Sequence, residues 1–93
     1  MLDSLFYVLE TTTLDTTKTN TLNQIAIEFH SNSMYDSALF YIQKAKTLAS
    51  KTSDQGRLSN SYNTMGSIYE SKGNFAESYN CHLKALKIRL QLN

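Results

Sequence analysis

Few residues in this chain have a type and spacing that could do chemistry. Cys81 and His82 pair a thiol with a base, but adjacent residues on a helix diverge by about 100°, so they cannot meet as nucleophile and general base. Cys81 reads instead as a small packed apolar residue, and His82 as an interface histidine with a satisfied ring. His30 lies where a helical segment ends, a position that favours a cation or a binding contact. The acids Glu28, Asp36, Glu70 and Glu77 are dispersed along the chain and read as solvated. Lys84, Lys87 and Arg89 crowd a last helical turn, where basic side chains complement the helix dipole. The sequence holds no phosphate-binding glycine loop, no HExxH, no CxxC and no GxSxG. No catalytic residue, metal-ligand set or cofactor is expected.

The sharper signal is amides that repeat. Asn20 and Asn23 recur as Asn60 and Asn63, and Ser31, Lys44 and Ala45 recur as Ser71, Lys84 and Ala85, all at one offset. Between them Leu22, Ile25, Ala26, Phe29 and Tyr35 recur in kind as Tyr62, Met65, Gly66, Tyr69 and Phe75. Self-similarity at a fixed period marks a stacked repeat. A side-chain amide offers both a donor and an acceptor, which suits the main chain of an extended peptide whatever its sequence.

The elements that must position these amides are helical. The 93 residues allow one domain, with a core close to the lower limit for folding without disulfides or metal. No proline and only three glycines leave few breakers. The single cysteine permits no internal disulfide. Leu2, Leu5, Phe6 and Leu9 form one stripe of a short amphipathic helix. The threonine-rich run from Thr11 to Thr19 is expected to be a loop, with a new helix starting between Thr17 and Asn20. Leu22, Ile25, Ala26 and Phe29 mark one face of that helix, and Ala38, Leu39, Ile42, Ala45 and Leu48 mark its partner, with Ser31-Asn32-Ser33 as the turn. Leu58, Tyr62, Met65, Gly66 and Tyr69 mark the next helix, and Phe75, Tyr79, Leu83, Leu86 and Leu90 the last. Asp54 is the expected N-cap and Gly73 the expected left-handed C-cap. Most tyrosines fall at packing positions, and Tyr35 and Phe75 are expected to wedge each second helix against its first.

The slots Tyr62, Met65, Gly66, Tyr69, Ser78, His82 and Ala85, and before them Leu22, Ile25, Ala26, Phe29, Ala38, Ile42 and Ala45, resemble the tetratricopeptide (TPR) signature. The usual proline slots hold Ser50 and Leu90, and the unit is longer than the common one of about 34 residues. Long units resemble those of kinesin light chain and of TPR arrays in bacterial signalling proteins. The resemblance implies an all-α fold, a right-handed superhelical stack of antiparallel helix hairpins with about five helices. Residues 1–16 would be a short helix and connector, 17–53 the first hairpin and 54–93 the second. Two units are fewer than such stacks usually need, and the last helix carries Leu83, Leu86, Ile88, Leu90 and Leu92, so the chain reads as part of a longer array.

In such arrays the first helix of each hairpin lines a concave groove. The resemblance therefore places Asn20, Asn23, Ile27, His30, Asn60, Asn63, Ser67 and Glu70 in that groove, with Asn23 and Asn63 matching the asparagine ladder that holds a peptide backbone. The subclass that clamps acidic chaperone tails needs lysine where Asn23 stands and asparagine where Ile27 stands, so that ligand is not implied. The expected function is a non-catalytic module binding a protein or peptide in a sensor or scaffold; the alternative is a structural spacer or self-association element, using the uncapped last helix. The net charge of +1 gives no bulk attraction to nucleic acid, although up to Phe40 the chain has five acids and only Lys18, and beyond it eight bases. No stretch nears the roughly 18 apolar residues of a membrane span. The N-terminus lacks the marks of a signal peptide, so the cytoplasm is the default compartment, or the periplasm if a signal peptide precedes this segment.

Overall fold

In the computed structural model, which describes residues 1–92, five helices follow one another: α1 (Leu2–Thr11), α2 (Asp15–Ser31), α3 (Tyr35–Lys51), α4 (Gln55–Lys72) and α5 (Phe75–Leu92). Asn93, which closes the second hairpin as read from sequence, lies outside the described residues. Each helix packs on the next in the chain, and α2 also meets α4, whereas among the described residues the backbones of α3 and α5 do not approach each other. The inner layer is therefore α2 and α4, and the outer layer is α1, α3 and α5. A thickness of 16 Å against a breadth of 34 Å fits two helix layers.

The periodicity explains the core. Leu22, Ala26, Ala38, Ile42, Ala45, Met65, Ile68 and Cys81 form one buried cluster, with Leu9, Phe29, Tyr35, Leu39, Tyr41, Leu48 and Tyr69 packed against it. Ile25, Ile42 and Ile68 are fully buried, each contributing about 1.5–3 kcal/mol of apolar burial. Helix α1 docks through Phe6, whose ring meets Tyr41 edge-on at 5.7 Å, while Phe29 stacks on the same tyrosine at 5.6 Å. Aromatic pairs of this kind add about 0.5–1.5 kcal/mol beyond their burial.

Helix α2 begins at Asp15, so the threonine run is not the loop expected from its composition; only Thr12 to Leu14 interrupt the helices. The hydroxyls bond back to the preceding turn instead of breaking it, Thr11 to the Tyr7 carbonyl and Thr19 to the Asp15 carbonyl, both at 2.9 Å. Two aromatic expectations also fail. Phe75 is 68% exposed and wedges nothing, unlike Tyr35, and Tyr7 and Tyr79 stand in solvent. The buried residues of α5 are the small Ser78, Cys81 and Ala85, while Phe75, Tyr79, Leu86, Leu90 and Leu92 all face outward. On this helix the large apolar residues do not mark the packed face.

Caps set the ends as elementary chemistry requires. Asp54 accepts from the Arg57 backbone N–H at 3.1 Å, and Gly73 takes the left-handed conformation at φ 85°. The Arg57 N–H holds the Asp54 carboxyl below its ordinary pKa; partial burial opposes this, and the Arg57 guanidinium adds to it. Burial pushes the Cys81 thiol up, despite the nearby Lys84 and Lys46, which suits an unreactive packed residue.

Candidate functional site

The inner face is a seam along which α2 and α4 are joined by side chains. At its far end His30 Nε2 and Ser71 Oγ share a hydrogen bond of 2.7 Å. At its near end Arg57 Nε donates to Asn20 Oδ1 at 2.9 Å, and Arg57 also pairs with Asp54 at 2.9 Å. At this same end Thr19, Asn20, Asn23, Arg57, Asn60 and Ser61 border a polar cavity of about 20 Å³, room for a single water. Asn23 Oδ1 and Ser61 Oγ are buried there without a protein partner.

The repeated amides therefore have unequal fates. Asn20 and Asn60 are exposed, at neighbouring ends of α2 and α4. Asn23 and Asn63 are half-buried, and the Asn63 Oδ1 lies 3.1 Å from His82 Nδ1. That contact ties the imidazole on α5 to the side-chain amide on α4. Ser67 is exposed and donates to the Asn63 carbonyl at 3.2 Å. Glu70 is exposed, and Ile27 and His30 are half-buried. The structure thus brings Asn20, Asn23 and Asn60 together around Arg57 at one end, and sets His30 with Ser71 at the other.

Two residues at this site were not singled out from sequence as binding groups. No motif in the sequence marks Arg57, and Arg89 reads as a complement to the helix dipole. Arg89 instead turns back to α4, its Nε donating to Ser59 Oγ at 3.1 Å and its terminal nitrogen lying 3.5 Å from Asn60 Oδ1. Ser59, fully buried, donates a hydrogen bond in turn to the Ala85 carbonyl at 3.3 Å. The available signal was departure from the repeat: the counterparts of Arg57 and Arg89 are Thr17 and Ala49, so stacking alone demands no cation at either place.

Among the described residues no group of three or more His, Cys, Asp or Glu side chains gathers to hold a metal, and no helix is long and apolar enough to cross a membrane. What the seam offers is amide, hydroxyl, imidazole and guanidinium groups on a rigid two-helix face, a surface for hydrogen bonding more than for bond breaking. TPR domains are generally non-catalytic modules that mediate protein interactions. No curated protein and no solved structure matches the chain. A family model does, described as the SusR N-terminal TPR domain, over residues 2–89. That span takes in four whole helices and all but the last turn of α5, and the chain belongs to the SusR N-terminal TPR domain family.

Proposed function

We propose that the α2–α4 face binds a peptide or protein segment in extended form, and that the chain is the non-catalytic interaction part of a sensor or scaffold. The observation that carries this reading is the orientation of Asn20 and Asn60. Each Oδ1 faces an arginine, which leaves each Nδ2 group free to donate to a ligand carbonyl. Ile27, His30, Ser67 and Glu70 continue the face toward Ser71, mixing apolar and polar contacts as a peptide groove requires. Asn63 contributes mainly through its amide nitrogen, because His82 occupies the oxygen.

The test is selection of random decapeptides, tethered through their N-termini, on the immobilised chain. Recovered sequences are then titrated against the chain and against an Asn20→Ala, Asn60→Ala double variant of unchanged helicity. Both asparagines are exposed, so the variant should fold and bind at least about tenfold more weakly. Peptides that bind both proteins equally would remove the groove.

A second reading, self-association, has its own support in the exposed Phe75, Tyr79, Leu86, Leu90 and Leu92 of α5. It predicts a concentration-dependent mass in sedimentation that Tyr79→Glu with Leu86→Glu abolishes. A constant monomer mass in the parent chain would exclude it.

A further inference from the structure

We infer that the near end of the α2–α4 face is a carboxylate pocket, and that the segment bound there presents an acidic side chain or its own C-terminal carboxylate. This deepens the groove reading and rests on it. The pocket is an open cleft of about 410 Å³ between the starts of α2 and α4 and the end of α5, and its polar wall is Asn20, Asp54, Arg57, Ser59, Asn60 and Arg89.

Charge decides the ligand. Asp54 pairs with Arg57 at 2.9 Å, and among the described residues Arg89 has only the neutral acceptors Ser59 and Asn60. Two guanidiniums against one carboxylate leave the wall with a single positive charge, which one incoming carboxylate balances. Guanidinium recognises that group through paired parallel N–H donors.

Preorganisation decides the place. Ser59 is fully buried and tied to the Ala85 carbonyl, so the Arg89 guanidinium is held at Nε with terminal N–H groups left to donate. Arg57 is held likewise, its Nε on Asn20 and one terminal nitrogen on Asp54. The amide nitrogens of Asn20 and Asn60 add donors that a carboxylate accepts and a cation does not. Neither arginine has a counterpart in the first hairpin, where Thr17 and Ala49 stand. The pocket is thus an addition to the repeat and not a requirement of stacking.

The peptide selection described above, run in parallel on the parent chain and on Arg89→Gln, tests this. Free C-termini in the library admit both sources of carboxylate. The expected result is enrichment of Asp or Glu at one register, or of a required free C-terminus, on the parent chain and its loss on Arg89→Gln. Resynthesis with Glu→Gln, or as the C-terminal amide, then names the source by an at least about tenfold loss of affinity in one arm only. The affinity should also fall with added salt. Arg89→Lys, which keeps the charge and loses the paired donors, should bind more weakly than the parent and still show the acid preference; this variant decides the matter if Arg89→Gln loses helicity. Binders without acid preference, or identical profiles on the parent and Arg89→Gln, overturn the pocket and leave the groove standing. An absence of binders on the parent chain overturns both.

Discussion

Where hairpin α2–α3 places Ala26 and Ile42, both fully buried, hairpin α4–α5 places Gly66 and a half-buried His82 at the same repeat positions. A Cβ on Gly66 would lie 2.7 Å from His82 Nε2, so the glycine is the space in which the imidazole sits. The ring's other nitrogen then reaches Asn63, while Asn23, opposite an isoleucine, finds no such partner. One exchange on the second helix of a hairpin thus changes the first helix twice, in its packing residue and in the engagement of its amide. The lesson is that the first hairpin is the apolar, closely packed unit and the second trades core for polar contact. The trade occurs on the same hairpin as both pocket arginines.

The strongest way to break that comparison is to hollow each unit at the same place. Ile42→Ala removes a fully buried side chain and should cost about 2–5 kcal/mol. His82→Ala should cost clearly less, because its ring is only partly buried and Gly66 leaves the backbone room to close. Urea unfolding of the two variants measures both. Equal losses would show that the hairpins are not energetically distinct.

Next in size is overpacking. Gly66→Ala should destabilise by about 1–3 kcal/mol, since the contact is with a ring and not with the end of a flexible chain. Combined with His82→Ile it recreates the Ala26–Ile42 pair, and the double-mutant cycle should show coupling of about 1 kcal/mol or more. Simple additivity would mean that His82 and Gly66 were not selected against each other.

A smaller contrast lies at the helix starts. Asp54 caps α4 through the Arg57 N–H, whereas its counterpart Leu14 gives α2 no side-chain cap. Asp54→Ala should cost about 1 kcal/mol at neutral pH, and Leu14→Ala should lose no cap. The Asp54 pKa is lowered in the folded chain, so the folded state favours the ionised form. Its stabilisation is present in full above the unfolded carboxylate value of about 3.9, and is lost as pH falls below that through the depressed folded value. The gap between the parent and Asp54→Ala should therefore begin to narrow near about pH 4 and close only as pH falls through the depressed folded value. A gap that persists at lower pH would assign the effect to packing instead of the cap.

How much of this was legible in the residues follows from which forces leave a periodic trace. Ile25, Ile42, Ala45 and Met65 announced the core because apolar burial recurs at helical spacing. Gly73 and Asp54 announced helix ends because one residue supplies the chemistry. Composition counts threonine as a breaker and so places the start of α2 too late, while Thr19 closes a local bond and stays helical. Phe75 and Tyr79 fall on a helical stripe yet stand exposed, because periodicity locates an apolar stripe without saying whether anything covers it. The Arg89–Ser59 contact joins residues on two helices, and only the missing counterpart at Ala49 marked it in one dimension.

The finest contrast is at the turns, where the two hairpins share a backbone and differ at its left-handed position, Ser33 against Gly73. After α2, Ser33 N donates to the His30 carbonyl and Met34 N to the Phe29 carbonyl, at 3.0 and 2.9 Å; after α4, Gly73 N and Asn74 N donate to Glu70 and Tyr69 at 3.0 and 2.8 Å. Both turns need a residue in the left-handed region, and Ser33 supplies it at φ 60° where Gly73 does so at φ 85°. A side chain there costs about 1–2 kcal/mol, partly offset because glycine loses more entropy on folding. Ser33→Gly should therefore stabilise by roughly 0.5–1 kcal/mol and Gly73→Ser destabilise by a similar amount, with no atom near the Gly73 Cβ position to add a clash. If thermal unfolding shows the serine variant at Gly73 losing much more than the glycine variant at Ser33 gains, the first hairpin must hold its turn by contacts that the second lacks. The Tyr35 ring, 5.8 Å from the His30 imidazole across that turn, is the first candidate, because its counterpart Phe75 stands free in solvent.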